Sequence, residues 1–215
     1  MNKTQPDCRR SIIYLMRHGD SRQDEVKRFI GQTDTPLNET GRKQAAWWRE
    51  ELSSHFFNGI YCSDLSRSVE TAEIIAGNRQ EAVRPLSELR EINLGRWDGL
   101  PMHEVRCRYP EEFEKRGAGL VNYRPESGES FLDLSARVLP AFEVITGAVE
   151  CGRVLIVGHA GVNRIILCHL LGMPLAGLFR LSQDYCCLNI IVKETDCFCL
   201  CSTNIPSGNI MATLI

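Results

Sequence analysis

Two apolar runs that each end in a histidine constrain this chain more than any other feature. The first is Ser11-Ile12-Ile13-Tyr14-Leu15-Met16-Arg17-His18-Gly19, and the second is Val154-Leu155-Ile156-Val157-Gly158-His159-Ala160-Gly161. A short, continuous apolar run with β-branched residues, closed by glycine, predicts a buried strand that leaves through a sharp turn. Each histidine then stands at the carboxyl end of a strand, where open α/β sheets bind their ligands. A surface Arg-His in a turn would account for the first run alone. Packing needs do not account for two strands that deliver two histidines beside glycines.

Between and beyond these runs the chain alternates strand and helix signals. Asn38 predicts an N-cap for a helix reaching about Ser54, with Ala45, Trp48 and Leu52 at helical spacing and Trp47 and Trp48 as packing residues. Phe56–Cys62 predicts a second strand, and a helix from Arg67 to about Ala76 follows, capped by Ser66 or Asp64. Pro85–Leu94 predicts a short strand running into a loop, and Met102 to Lys115 a helical excursion. Gly117–Glu129, rich in Gly, Pro, Ser and charge, is expected to be a mobile flap. Ser130–Val149 predicts an amphipathic helix, Val162–Leu171 an apolar one ended by Gly172-Met173-Pro174, and Cys186–Val192 with Cys197–Ser202 a strand hairpin. Residues 1–10 are polar and expected to fray. The repeated strand-helix order implies a largely parallel sheet covered on both faces, in a single domain spanning 1–215 with an insertion or flap at about 100–130.

Charge and composition exclude several classes. The formal net charge is −2 and no Lys/Arg run stands out, so a nucleic-acid partner is not expected. No apolar stretch approaches the roughly 20 residues that span a bilayer, and the first run is too short for a signal-peptide core, so a cytoplasmic location is expected. The ten cysteines are then expected to be reduced. Cys197, Cys199 and Cys201 alternate with Phe198 and Leu200 on one strand face, and read as small buried hydrophobes rather than soft-metal ligands. No Walker A, Gly-x-Gly-x-x-Gly or His-Glu-x-x-His sequence is present, and no metal or cofactor is expected.

Arg67 is electrostatically misplaced at a helix N-terminus unless it meets an anion there; backbone N–H groups and a guanidinium together make a phosphate seat. The alternative is a salt bridge from Arg67 to Glu70 or Glu73. Cys62-Ser63-Asp64-Leu65-Ser66-Arg67 resembles a cysteine-phosphatase loop but is one residue too short and lacks glycine.

Several motifs occur in the order found in the histidine phosphatase superfamily, also called the phosphoglycerate mutase-like family, and the chain resembles that family from about Ile12 to Asn163. They are Arg17-His18-Gly19; Gly31 with Asp34-x-Pro36-Leu37; Gly41-x-x-Gln44-Ala45; Ser63-Asp64-Leu65-x-Arg67-x-x-x-Thr71-Ala72; Glu91-x-x-x-Gly95; and Gly158-His159-x-Gly161. The resemblance implies a three-layer α/β/α sandwich and a phosphohistidine intermediate on His18. It assigns Arg17, Arg67 and His159 to the phosphoryl oxygens, Glu91 to the proton transfer, and Asp24, Gly31, Gln32 and Ala160 to substrate binding. The chemistry agrees independently. A phosphate monoester is dianionic, and a neutral imidazole approaches it without charge repulsion if a backbone carbonyl holds its other N–H and fixes the tautomer.

Two positions depart from the pattern: the family commonly has Glu or Gln where Asp20 stands and Asn where Asp24 stands. An ionised Asp24 facing phosphate would repel it, so it must be turned away, toward Arg22 or Arg28, be protonated, or serve another substrate. The Gly95–Ser130 segment is short for a mutase lid, which favours hydrolysis. Leu89–Gly99, Glu126–Phe131 and Gly158–Arg164 look most like the α-ribazole-5′-phosphate phosphatase branch of cobalamin synthesis. Broad-specificity sugar phosphatases, phosphoglycerate mutases and a catalytically inactive phospho-ligand binder stay open, as does a homodimer.

Overall fold

The computed structural model describes residues 10–79, 82–195 and 197–208. The segment expected to fray lies, up to residue 9, outside them, and Arg10 already belongs to the first strand. Six strands form one sheet: β1 (Arg10–Arg17), β2 (Gly59–Ser63), β3 (Val83–Leu86), β4 (Gly152–Gly158), β5 (Leu188–Glu194) and β6 (Cys197–Ile205), in the order β3-β2-β4-β1-β5-β6. β3, β2, β4 and β1 run parallel, and β5 and β6 add antiparallel strands at one edge.

Both key runs are central strands, which is why neither alternates polar with apolar residues. Alternation instead divides each between two cores. Ile12, Tyr14 and Met16 pack beneath α1 (Glu39–Glu51) and α2 (Ser66–Ala76), while Ile13 and Leu15 pack beneath α5 (Phe131–Gly147) and α6 (Ala160–Leu170). The chain leaving β1 therefore crosses to one face and the chain leaving β4 to the other. Their carboxyl ends, side by side, form the crevice of a topological switch point. Trp48 anchors α1: it is fully buried, and its indole N–H donates to the Cys186 carbonyl at 2.7 Å.

Four local expectations need correction. The helical excursion is two helices, α3 (Met102–Arg108) and α4 (Pro110–Ala118), because the residue before a proline is driven out of the helical region. Tyr109 accordingly has φ −130° and ψ 53°, and Pro110 opens the next helix. Neither Ser66 nor Asp64 caps α2. Asp34 does so from the preceding loop, its carboxylate accepting from the Ser66 N–H (2.8 Å) and hydroxyl (2.7 Å), while Asp64 pairs with Arg90.

The Gly117–Glu129 segment is fastened rather than flap-like. The Glu129 N–H donates to the Asn93 carbonyl, the Arg96 N–H to that of Glu126, and Arg124 pairs with Asp133. Its turn-forming composition serves tight bends, such as Ser127 with φ +59°. Finally, Cys197, Cys199 and Cys201 are exposed: they lie on the sheet's outermost strand, while Phe198 and Leu200, facing the other way, pack against the α5–α6 core.

Replacing Asp34 by alanine removes the cap of α2, and a loss of about 1 kcal/mol in unfolding free energy is expected by denaturant titration, as for other N-cap deletions.

Candidate active site

The parallel register sets Arg17 opposite Gly158, so that His18 and His159 leave the sheet at one level. The His18 N–H donates to the Gly158 carbonyl (3.0 Å), and the two imidazole rings lie edge to face with centres 5.0 Å apart. Beyond His18 the chain must cross the first turn of α1. A Cβ on Gly19 would come within 2.7 Å of the Gly41 carbonyl oxygen, so the two backbones can meet only as glycines. The Gly19 N–H is then taken by the Thr71 hydroxyl of α2 (3.0 Å).

The carbonyl of Gly19 lies 2.7 Å from His18 Nδ1. A carbonyl only accepts, so Nδ1 carries the proton and Nε2 keeps its lone pair. Burial, followed by the charges of Arg17 and Arg67, holds the His18 pKa well below the ordinary 6.5, outweighing the bond to Gly19. His159 is fully buried and lowered for the same reason, burial first and then the cations led by Arg67. Both its ring nitrogens lack a hydrogen-bond partner among the described residues.

The two arginines reach the site from different elements. Arg67, in the first turn of α2 and 1% exposed, donates to the carbonyls of Gly31 (2.6 Å) and Thr33 (2.9 Å). It forms no bond to Glu70 or Glu73; Glu70 instead pairs with Arg42. Arg17 donates to the Gln183 carbonyl (2.6 Å), and its guanidinium lies 3.7 Å from the centre of the Tyr185 ring. Glu91 arrives on the turn after β3: one carboxylate oxygen accepts the Gly161 N–H (3.0 Å) at the start of α6, the other the Ile92 N–H (2.9 Å). A Cβ on Gly161 would stand 2.3 Å from that carboxylate, so glycine is what lets Glu91 approach.

Arg17, His18, Arg67 and Glu91 line an inner pocket of about 70 Å³, room for a group of a few heavy atoms. Through Ser21, Arg22, Ile30 and Tyr185 it adjoins an outer cleft of about 520 Å³, bordered by the 21–28 loop and Met102. Arrayed cations, a neutral imidazole with a free nitrogen and a carboxylate match what a phosphoryl group needs.

The histidine phosphatase superfamily (branch 1) matches this chain over residues 13–205. The chain belongs to that superfamily. Among relatives, phosphoserine phosphatase 1 of Hydrogenobacter thermophilus is 31% identical over 182 residues, covering 85% of this chain and 86% of the relative. The adenosylcobalamin/alpha-ribazole phosphatase of Salmonella typhimurium is 29% identical, over 83% and 89%. Bacillus stearothermophilus YhfR superimposes with a TM-score of 0.84 at 32% identity, covering 92% of this chain and 98% of its own. This histidine phosphatase is thus an enzyme of the phosphatase class, with the mixed α/β sheet of its structural neighbours.

His159, fully buried behind His18, does not line the inner pocket, and neither does any of the remaining expected site residues. Gly31 offers its carbonyl to Arg67, Gln32 donates from its side chain to the Glu91 carbonyl (3.1 Å), and Ala160 is the first residue of α6. Asp24 borders the outer cleft, paired with Arg28 (2.9 Å), which resolves its conflict with a phosphate. Asp20 is buried against Arg22. Burial alone would raise its pKa, but the hydrogen bonds and charge of Arg22 prevail and hold it below the usual carboxylate value. Cys62 is buried on β2 with its thiol pushed up to about 12 by burial, which removes it as a nucleophile at neutral pH.

Tyr185 and Gln183 join the site with no motif to mark them, and Arg22, a possible partner for Asp24 on sequence, pairs with Asp20 instead. The available signal was position: they flank the sheet end where antiparallel β5 begins beside the end of β1, with Met16 opposite Leu188.

Nitrogen NMR of the ligand-free enzyme should show His18 neutral with Nδ1 protonated at pH 6.5; a half-protonated ring there would contradict this tautomer. Unfolded, both imidazoles take up protons near 6.5, whereas folded they do so only at lower pH. The unfolded state thus binds more protons, and thermal stability should fall as pH drops below 6.5.

Proposed function

We propose that this protein is a cytoplasmic, metal-independent phosphomonoesterase that passes the phosphoryl group of a bulky, uncharged alcohol through His18 to water. The observation that carries the reading is the Gly19–His18 hydrogen bond, which leaves Nε2 with its lone pair in a pocket shared with Arg17, Arg67 and Glu91. Nε2 attacks phosphorus in line as the P–O ester bond breaks, and Glu91 gives its proton to the departing alkoxide. Arg17, Arg67 and His159 take the phosphoryl oxygens, with the unpartnered ring nitrogens of His159 supporting its part. Water then attacks phospho-His18, Glu91 takes back a proton, the P–N bond breaks and inorganic phosphate leaves.

The outer cleft supports a neutral leaving group. Its Arg28 is paired with Asp24, Arg22 is paired with Asp20, and Lys27 and Glu25 carry opposite charges, so no cationic excess awaits a substrate carboxylate. Val26, Ile30, Met102 and Tyr185 suit an aromatic or apolar body. These features fit α-ribazole 5′-phosphate better than phosphoserine or a phosphoglycerate, whose alcohols bear charge.

A phosphatase panel containing α-ribazole 5′-phosphate, sugar phosphates, phosphoserine and phosphoglycerates should give the highest kcat/KM for α-ribazole 5′-phosphate; a preference for the carboxylate-bearing substrates would refute the neutral cleft. His18→Ala should abolish turnover, and Glu91→Gln should slow it by about 10²–10⁴-fold with phosphate binding retained.

A further inference from the structure

The carboxylate of Glu91 is fixed from inside the site by two backbone amides, but its backbone is fixed from behind by a pair of residues that touch no part of the pocket. Arg137, on α5, points its guanidinium into the turn that carries Glu91. Nη1 donates to the carbonyls of Glu88 (2.8 Å) and Arg90 (3.0 Å), and Nη2 approaches that of Glu91 (3.4 Å). Glu129 holds the same guanidinium through two bonds, Nε to Oε1 (3.0 Å) and Nη2 to Oε2 (2.8 Å). Its Oε2 also accepts the Asn93 N–H (2.9 Å), and its own N–H donates to the Asn93 carbonyl (2.8 Å). One planar fork and one carboxylate therefore tie down both sides of Glu91 along the chain.

Such a pair is more than a surface ion pair. Both side chains are only 22% exposed, and the guanidinium spends its donors on several carbonyls in a fixed geometry that a lysine cannot copy. The turn it holds has no strand or α-helix to keep it: a 3₁₀ turn ends at Leu89, and no regular element follows until Gly95. We infer that Arg137 and Glu129 are positioning residues for proton transfer, setting where the Glu91 carboxyl meets the leaving oxygen. The inference rests on Glu91 being the acid of the proposed reaction.

Leaving-group dependence separates this role from general support of the fold. A nitrophenolate leaves without a proton, whereas an alkoxide needs one, so loss of acid catalysis is felt mainly on alkyl phosphates. The test compares p-nitrophenyl phosphate with an alkyl phosphate in the wild type, Glu91→Gln, Arg137→Met, Arg137→Lys and Glu129→Gln. Arg137→Met should lower kcat/KM, which reports phosphohistidine formation and not the hydrolysis step common to both esters, about tenfold more on the alkyl ester than on the nitrophenyl ester, a fraction of the full acid effect. Glu129→Gln should shift the ratio in the same direction, and Arg137→Lys should restore it only in part. Turnover of the nitrophenyl ester reports that each variant is folded. Equal losses on both esters, or no loss, in the Arg137 and Glu129 variants would overturn the positioning role while Glu91→Gln retains its leaving-group dependence. If Glu91→Gln itself lacks that dependence, the acid assignment falls, and this inference with it.

Discussion

Strands β1 and β4 are zipped in parallel from Ser11 opposite Gly152 to Arg17 opposite Gly158, and everything in the pocket is measured from that register. A slip of one residue would turn every side chain of the strand to the other face and separate His18 from His159. The register is firmly specified because both faces are filled: Ile13 and Leu15 belong to one core, Ile12, Tyr14 and Met16 to the other. A slipped strand would keep its apolar side chains buried but exchange them between two cores shaped for others, and such misfits typically cost about 1–3 kcal/mol each.

What the site does with that platform is keep charge available. Arg17 and Arg67 are held by carbonyl oxygens of Gln183, Gly31 and Thr33, not by carboxylates. Carbonyls satisfy guanidinium donors without neutralising them, so positive potential remains where a phosphoryl group would sit. The carboxylates nearby are engaged elsewhere. Asp98 gathers the N–H groups of Gly31, Gln32 and Thr33, shaping the loop whose carbonyls receive Arg67. Burial first, and then the same potential, lowers the pKa of His18 and of His159, which favours the neutral imidazole that lets His18 attack a dianion.

The parallel core and the proposed centre were legible because each rests on a local signal. Short β-branched apolar runs closed by glycine read as central strands, Asn38 caps α1 through the Gly41 N–H as its residue type favours, and Arg67 stands at a helix N-terminus, where an anion suits it. Features that depend on distant partners were not legible. Asp34 caps α2 across 32 residues of sequence, and the carbonyls that hold Arg67 come from the same loop. The fastening of Gly117–Glu129 by Asn93 and Arg96 is invisible to composition, which registers turns but not what they are tied to. Exposure of Cys197, Cys199 and Cys201 follows from the place of β6 at the sheet edge, which alternation alone cannot give.

Phosphohistidine formation is the most direct test of the central claim. Rapid quenching of the enzyme with a radiolabelled phosphomonoester, followed by peptide mapping, should find an acid-labile, alkali-stable label on Nε2 of His18 and none in His18→Ala. Turnover with no label at His18, or label on another residue, would contradict the site described.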